Sequence, residues 1–224
     1  MQHKIKWCHL CRSTENLTSD HLPPKNLFQK PLPSNLITVP CCKACNESFS
    51  KLDEQFRVFV STPVNVSDTG TTVMREKVFG GSLKKSPALK AHMAKGVFKG
   101  SLTTPLGRVT VPLITMDRTA LDPFFARLTK GLLATFYADV DYFKLKFVVT
   151  QLNQFGAQLP AFKAATSILT PDQRGDGVFR FWHGVTPHKR TAGKWIYQFY
   201  DAALFMVRHG EEIEDEDAVK LLSP

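Results

Sequence analysis

The chain has 224 residues, 43% of them hydrophobic and 22% charged, which is the make-up of a folded protein and excludes disorder throughout. Its formal charge of +9 points to polyanionic partners, nucleic acid first, although the same balance also serves plain solubility. No run approaches the roughly 18 apolar residues of a membrane span, and Met1–Lys6 has no apolar stretch after it, unlike a secretory signal. A cytoplasmic protein with no membrane partner is expected, built as one large domain or as a small one and a larger one.

All five cysteines fall in the first 45 residues: Cys8, Cys11, Cys41, Cys42 and Cys45. Clustered pairs without an export signal read as metal ligands rather than as a disulfide framework. Two CxxC pairs, Cys8/Cys11 and Cys42/Cys45, can close a tetrahedral thiolate site, for which zinc is the default ion. The Cys41–Cys42 doublet leaves the register open, with Cys42 giving the CxxC spacing. His9, inside the first pair, is expected to point outward. Between the pairs stands Asp20-His21, a hard oxygen ligand suited to magnesium or manganese beside an imidazole suited to accepting a proton at neutral pH. Asn46 follows the last thiol directly, so the metal knot fixes its position, and its amide oxygen can face Asp20. Asp53, two helical turns beyond Asn46, reads as a further ligand, as a partner that supports the ligands, or as a solvated or capping carboxylate. Lys25, Lys30 and Lys43 flank the site.

The rest is taken in chain order. Residues 41–60 carry Phe49, Leu52, Phe56 and Phe59 at helical spacing. Residues 61–82 read as a connector with one short strand. Ser86-Pro87 opens a helix that Gly96 ends. Residues 102–115 suggest a hairpin around Pro105-Leu106-Gly107. Asp122-Pro123 caps a helix whose buried face is Phe124, Phe125, Leu128, Leu132, Leu133 and Phe136. Strands are expected at Lys144–Gln151, Gly177–Val185 and Lys194–Val207, the last two joined by the basic loop Pro187–Arg190. Phe179, Phe181, Trp195, Tyr197 and Phe199 read as alternating sheet core, while Arg180, Lys189, Arg190 and Lys194 are placed to steer nucleic acid. His183 and His188 have no convincing partner. The final 15 residues hold six Asp/Glu and one Lys and read as an acidic tail.

Over residues 7–57, about a quarter of the chain, the pattern CxxC, Asp20-His21, Asn35-Leu36, CxxC-Asn46 resembles the zinc-stapled members of the HNH endonuclease family. That resemblance implies a ββα-metal module over residues 1–60; the residues beyond it, outside the resemblance, read as a mixed α+β domain over 61–209 and the tail over 210–224, for an α+β protein overall. It implies a structural Zn2+ on Cys8, Cys11, Cys42 and Cys45, and one catalytic Mg2+ or Mn2+ on Asp20 and Asn46. It also implies His21 as the general base and Asn35 as the residue that orients the loop carrying it. The expected activity is phosphodiester hydrolysis of nucleic acid, DNA favoured, with oligomeric state left open, a homodimer included. The alternative is a non-catalytic zinc-binding module for nucleic-acid or protein interaction.

Overall fold

The computed structural model describes residues 5–63, 65–104, 107–114, 116–152, 158–187 and 190–213. The acidic tail beyond Ile213, His188, Lys189 and the Pro105-Leu106 turn lie outside these. The fold is mixed α+β.

The N-terminal part pairs β1 (Leu17–Leu22) with β2 (Ile37–Cys42) as an antiparallel hairpin, and α1 (Lys43–Ser48) follows β2 without a break. Ile37 and Val39 alternate with exposed Thr38, so β2 buries one face. Helix α2 (Ser50–Val60) then buries Phe56, Val58, Phe59 and Val60.

Residues 61–82 are not the connector with a strand that their composition suggests. They form α3 (Asp68–Val73), which runs on as a π-helix over Met74–Ser82 and a last turn, α4 (Leu83–Lys85). The missed signal is a cap: the Ser67 hydroxyl accepts from the Gly70 N–H at 3.4 Å. Gly70 also lets the helix close on Tyr200, whose Cβ would lie 2.8 Å from a Cβ added there. Helix α5 (Pro87–Lys95) starts as expected, with the Ser86 hydroxyl accepting from the Leu89 N–H. The hairpin β3 (Val97–Thr104) and β4 (Gly107–Ile114) is present and longer than expected.

Helix α6 (Arg118–Phe136) begins earlier than Asp122-Pro123. Asp117 caps it by accepting from the Thr119 N–H at 2.9 Å, and Pro123 lies inside the helix. Proline there removes one helical hydrogen bond, and the burial of Phe124, Phe125 and Leu128 just beyond it offsets that loss.

The largest sheet is antiparallel, in the order β5-β9-β8-β7-β6, from β5 (Lys146–Leu152), β6 (Thr170–Arg174), β7 (Phe179–Val185), β8 (Gly193–Phe199) and β9 (Ala203–Gly210). Helix α7 (Gln158–Ser167) and β6 gave no signal in the sequence. The single strand expected over Lys194–Val207 is two strands, reversed at Tyr200 and Asp201, which adopt positive φ of 50° and 60°. Asp201 is a turn-forming residue, but with no Gly, Pro or Asn beside it the turn is only weakly marked in the composition. As expected, Phe179, Phe181, Trp195, Tyr197 and Phe199 are all fully buried.

Helix α6 lies between the sheet and the N-terminal hairpin. Phe125 stacks on Tyr197, and the Thr129 hydroxyl is 2.8 Å from the Tyr197 hydroxyl. On its other side, Gly131 comes so close to the hairpin that an added Cβ would sit 2.4 Å from Leu22 Cδ1. One buried cluster therefore runs from Leu22, Phe28 and Val39 through α6 to the sheet, across the expected boundary at residue 60.

Candidate metal centre and its surroundings

Four thiols gather where the N-terminal arm meets the start of α1. The Sγ atoms of Cys8, Cys11, Cys42 and Cys45 lie within 4.8 Å of one another, and Cys11 Sγ is 3.7 Å from Cys42 Sγ. Thiolates about 2.3 Å from one tetrahedral ion stand roughly 3.8 Å apart, so the set fits a zinc-sized ion. Local backbone prepares it. Burial alone would raise the Cys8 thiol, but N–H groups of Cys42, Leu10 and Cys11 point at the sulfur and hold it down at about 6. A thiol at that value is a thiolate at neutral pH, the form that binds metal. Cys45 is pushed up by burial and by the neighbouring Cys42 and Cys11 thiols, a crowding that a bound cation relieves. The doublet is resolved by position: Cys42 joins the four, while Cys41 is buried behind them with its Sγ 3.9 Å from that of Cys8.

His9 does not point outward. It is fully buried, with Nε2 3.2 Å from Asp20 Oδ2, and its desolvation holds the imidazole down at about 4. A knuckle packed against Leu22 and Gly131 has no outward face to offer there.

Asp20 is the centre of a buried charge cluster. Arg127, on α6, grips it with two nitrogens: Nε donates to Oδ2 at 2.8 Å and Nη2 donates to Oδ1. The third guanidinium nitrogen, Nη1, donates to Asp53 Oδ1 at 2.7 Å. Asp20 is 2% exposed, Arg127 4% and Asp53 14%. The Phe49 ring covers the guanidinium, with Cζ 4.7 Å from its centroid. Burial pushes Asp53 up to about 6, while the adjacent guanidinium pulls the other way. Asp53 is thus a partner of Arg127, neither solvated nor a cap. Arg127 carried no local motif. Its one trace in the sequence is a charge on the stripe Phe124, Leu128, Gly131 that is otherwise apolar.

Asn46 reaches the same face of the hairpin as Asp20. Its Nδ2 donates to Thr18 Oγ1 at 3.0 Å, and Thr18 stands two residues before Asp20 on β1. Because side chains alternate along a strand, His21 belongs to the opposite face, paired in register with Thr38 and half-buried. Burial lowers the His21 imidazole below its ordinary value, Lys25 adds to that, and Asp20 opposes it. His21 is therefore neutral at pH 7.

Asn35 ties the β1–β2 loop to the turn after β6: its Nδ2 donates to the Gln173 carbonyl and its Oδ1 accepts from the Gly175 N–H, both at 3.4 Å. The same loop is held by the Tyr200 hydroxyl on the Leu27 carbonyl at 2.6 Å, and by Lys77 on the Asn26 and Phe28 carbonyls. His183 is structural, buried with Nδ1 2.8 Å from the Tyr137 hydroxyl and stacked on Trp195. Arg180 and Arg190, placed in the sequence as steering cations, pair with Asp201 at 3.0 Å and Asp139 at 2.5 Å.

Among the described residues no helix is long and apolar enough to cross a membrane. No family model, curated protein or solved structure matches the chain.

Proposed function

We propose that the chain is a phosphodiester hydrolase of the HNH type acting on nucleic acid, DNA before RNA, with residues 7–57 as its zinc-stapled module. One observation carries the reading: strand, long loop, strand and helix follow in that order, with four thiols gathered where they close and His21 at the end of β1, its imidazole held below its ordinary value by burial. Zinc on Cys8, Cys11, Cys42 and Cys45 has a structural role, since four protein thiolates leave it no open position.

His21 is the general base. It takes a proton from water, the resulting hydroxide adds to phosphorus, and the P–O bond to the leaving sugar oxygen breaks, that oxygen taking a proton from solvent. A positioned base of this kind is worth about 10²–10⁴-fold. Lys25 is exposed beside His21 and supplies positive charge for a phosphate. Asn35 steadies the intervening loop against the sheet rather than touching His21's own strand.

A catalytic Mg2+ or Mn2+ on Asp20 and Asn46 does not fit this arrangement. Arg127 bonds both oxygens of a carboxylate that is only 2% exposed, and His9 Nε2 lies 3.2 Å from Oδ2, so the arrangement leaves no open side of Asp20 for a hydrated divalent cation. That observation favours a second reading, a zinc-stapled module that binds nucleic acid or protein without catalysis. Incubation of the purified protein with supercoiled plasmid, linear duplex, single strands and RNA separates the two. Parallel arms contain Mg2+, Mn2+ or EDTA, and zinc content is measured alongside. The hydrolase reading expects nicked or cut product from the wild type and none from His21→Ala at equal zinc content and equal melting temperature. No cleavage of any substrate in any arm leaves the binding module standing.

A further inference from the structure

The basic charge of this chain is concentrated in one segment. Residues 77–116 hold seven Lys/Arg and no Asp/Glu, whereas the other residues hold 22 Lys/Arg against 20 Asp/Glu. Structurally this segment is the end of the π-helix, α4, α5 and the β3–β4 hairpin. Lys77 is used internally, its ammonium on the Asn26 and Phe28 carbonyls. The other six, Lys84, Lys85, Lys90, Lys95, Lys99 and Arg108, are exposed, and none forms an ion pair among the described residues. In the C-terminal part, Arg174, Arg180 and Arg190 each sit on an aspartate, and Asp/Glu are interspersed among the remaining cations, as they are not over residues 77–116.

Among the described residues the hairpin is a two-stranded ribbon that joins no other sheet. Leu89 and Met93 of α5 root it in a small cluster with Val58 and Val78, and none of the described hairpin residues is buried. Its strands of eight residues span about 27 Å at roughly 3.4 Å per residue. The register Ser101↔Thr110, with strand alternation, puts Lys99, Ser101, Thr110 and Arg108 on one face, all exposed. Two cations and two hydroxyls are donors for phosphate oxygens. A two-stranded ribbon is also of a width that the roughly 12 Å major groove of a duplex admits.

We infer that the arm formed by α4, α5 and the β3–β4 hairpin is a docking surface for double-stranded nucleic acid, with the Lys99/Arg108 face of the ribbon against the phosphates. The inference takes its ligand class from the proposed function but does not require catalysis. Lys77 couples the arm to the substrate end of the module, because it holds the loop that leads away from His21.

The test is fluorescence anisotropy of a labelled duplex across about 50 to 200 mM salt, where each phosphate contact contributes roughly 0.9 to the slope of log K on log salt. Lys99→Gln/Arg108→Gln should lower the slope by about 2, and adding Lys84→Gln, Lys85→Gln, Lys90→Gln and Lys95→Gln should lower it by about 5, with affinity at the low-salt end falling about 100-fold or more. Lys146→Gln/Lys163→Gln, an equal charge change elsewhere, should bind nearly as the wild type does. His21→Ala should bind fully, so loss of cleavage and loss of docking are read separately. Circular dichroism checks folding. If the sixfold variant misfolds, the double variant at two exposed positions carries the result. Unchanged slope in a folded arm variant overturns the inference. So does equal loss in the Lys146/Lys163 control. The third overturning result is a wild-type dimer in sedimentation that Phe98→Ser dissociates while arm charge leaves duplex binding untouched, which would assign the ribbon to self-association.

Discussion

Arg127 is the residue through which the hairpin, α2 and α6 are charged to one another, and its removal should be among the most damaging single changes in the chain. Three of its nitrogens donate to two carboxylates, two of those contacts measuring 2.8 and 2.7 Å, at sites 2–14% exposed. Arg127→Met keeps the apolar stem and removes the fork, leaving Asp20 buried and unpaired. Breaking a buried pair from one side costs about 3–5 kcal/mol. Asp20→Asn should cost less, since the guanidinium keeps Asp53 as a partner. The double variant Asp20→Asn/Arg127→Met should recover part of the loss, with a coupling of about 2 kcal/mol or more, because position 20 then has no buried charge to leave unpaired, although Asp53 still lacks its guanidinium. Urea melts of the four proteins give the cycle. A coupling below about 0.5 kcal/mol, the range of independent sites, would refute the clasp.

Three further outcomes follow from packing, protonation and the thiol cluster. His9 and His209 are buried with imidazoles held down at about 4, so the unfolded chain binds protons near pH 6.5 that the folded chain refuses. Stability should therefore be intact above pH 6.5 and fall as pH drops towards 4, by about 3 kcal/mol for each group. At His209 the Trp195 Nε1–H donates to Nδ1 at 3.1 Å, and His209→Asn, which keeps an acceptor there, should remove its share of the loss in pH-dependent urea melts. Gly193→Ala, favourable by strand propensity, should instead destabilise by about 1–3 kcal/mol in thermal melts, because the new Cβ would lie 2.5 Å from the Gly184 carbonyl oxygen and from His209 Cε1. Cys8→Ser, or a strong chelator, should release zinc from the protein and lower its melting temperature, whereas Cys41→Ser should leave zinc content unchanged.

Local rules made much of the fold legible. The helical pattern over residues 41–60, which the structure divides into α1 and α2 after β2 ends at Cys42, the Ser86-Pro87 start and the aromatic alternation of β7 and β8 all follow from period, caps and side-chain type. The turn at Tyr200-Asp201 and the helix after Ser67 did not, because each depends on a contact far away in sequence: Tyr200 packs on Gly70 and bonds the Leu27 carbonyl. The candidate site divides the same way. The four thiols were readable from spacing alone, since two CxxC knuckles shape their own backbone. The surroundings of Asp20 were not, because its partner Arg127 lies 107 residues away on a helix that otherwise reads as core. His9 was misread for the same reason, its inward position being set by the close approach of Gly131.

The central claim, that this zinc-stapled module hydrolyses phosphodiesters with His21 as base, is tested most directly by the initial rate of plasmid cleavage for wild type and His21→Ala, at matched zinc content. Removal of a positioned base lowers the rate by about 100-fold or more, and His21→Ala should show that loss. Equal rates, or a wild type that cuts nothing while binding duplex, would contradict it.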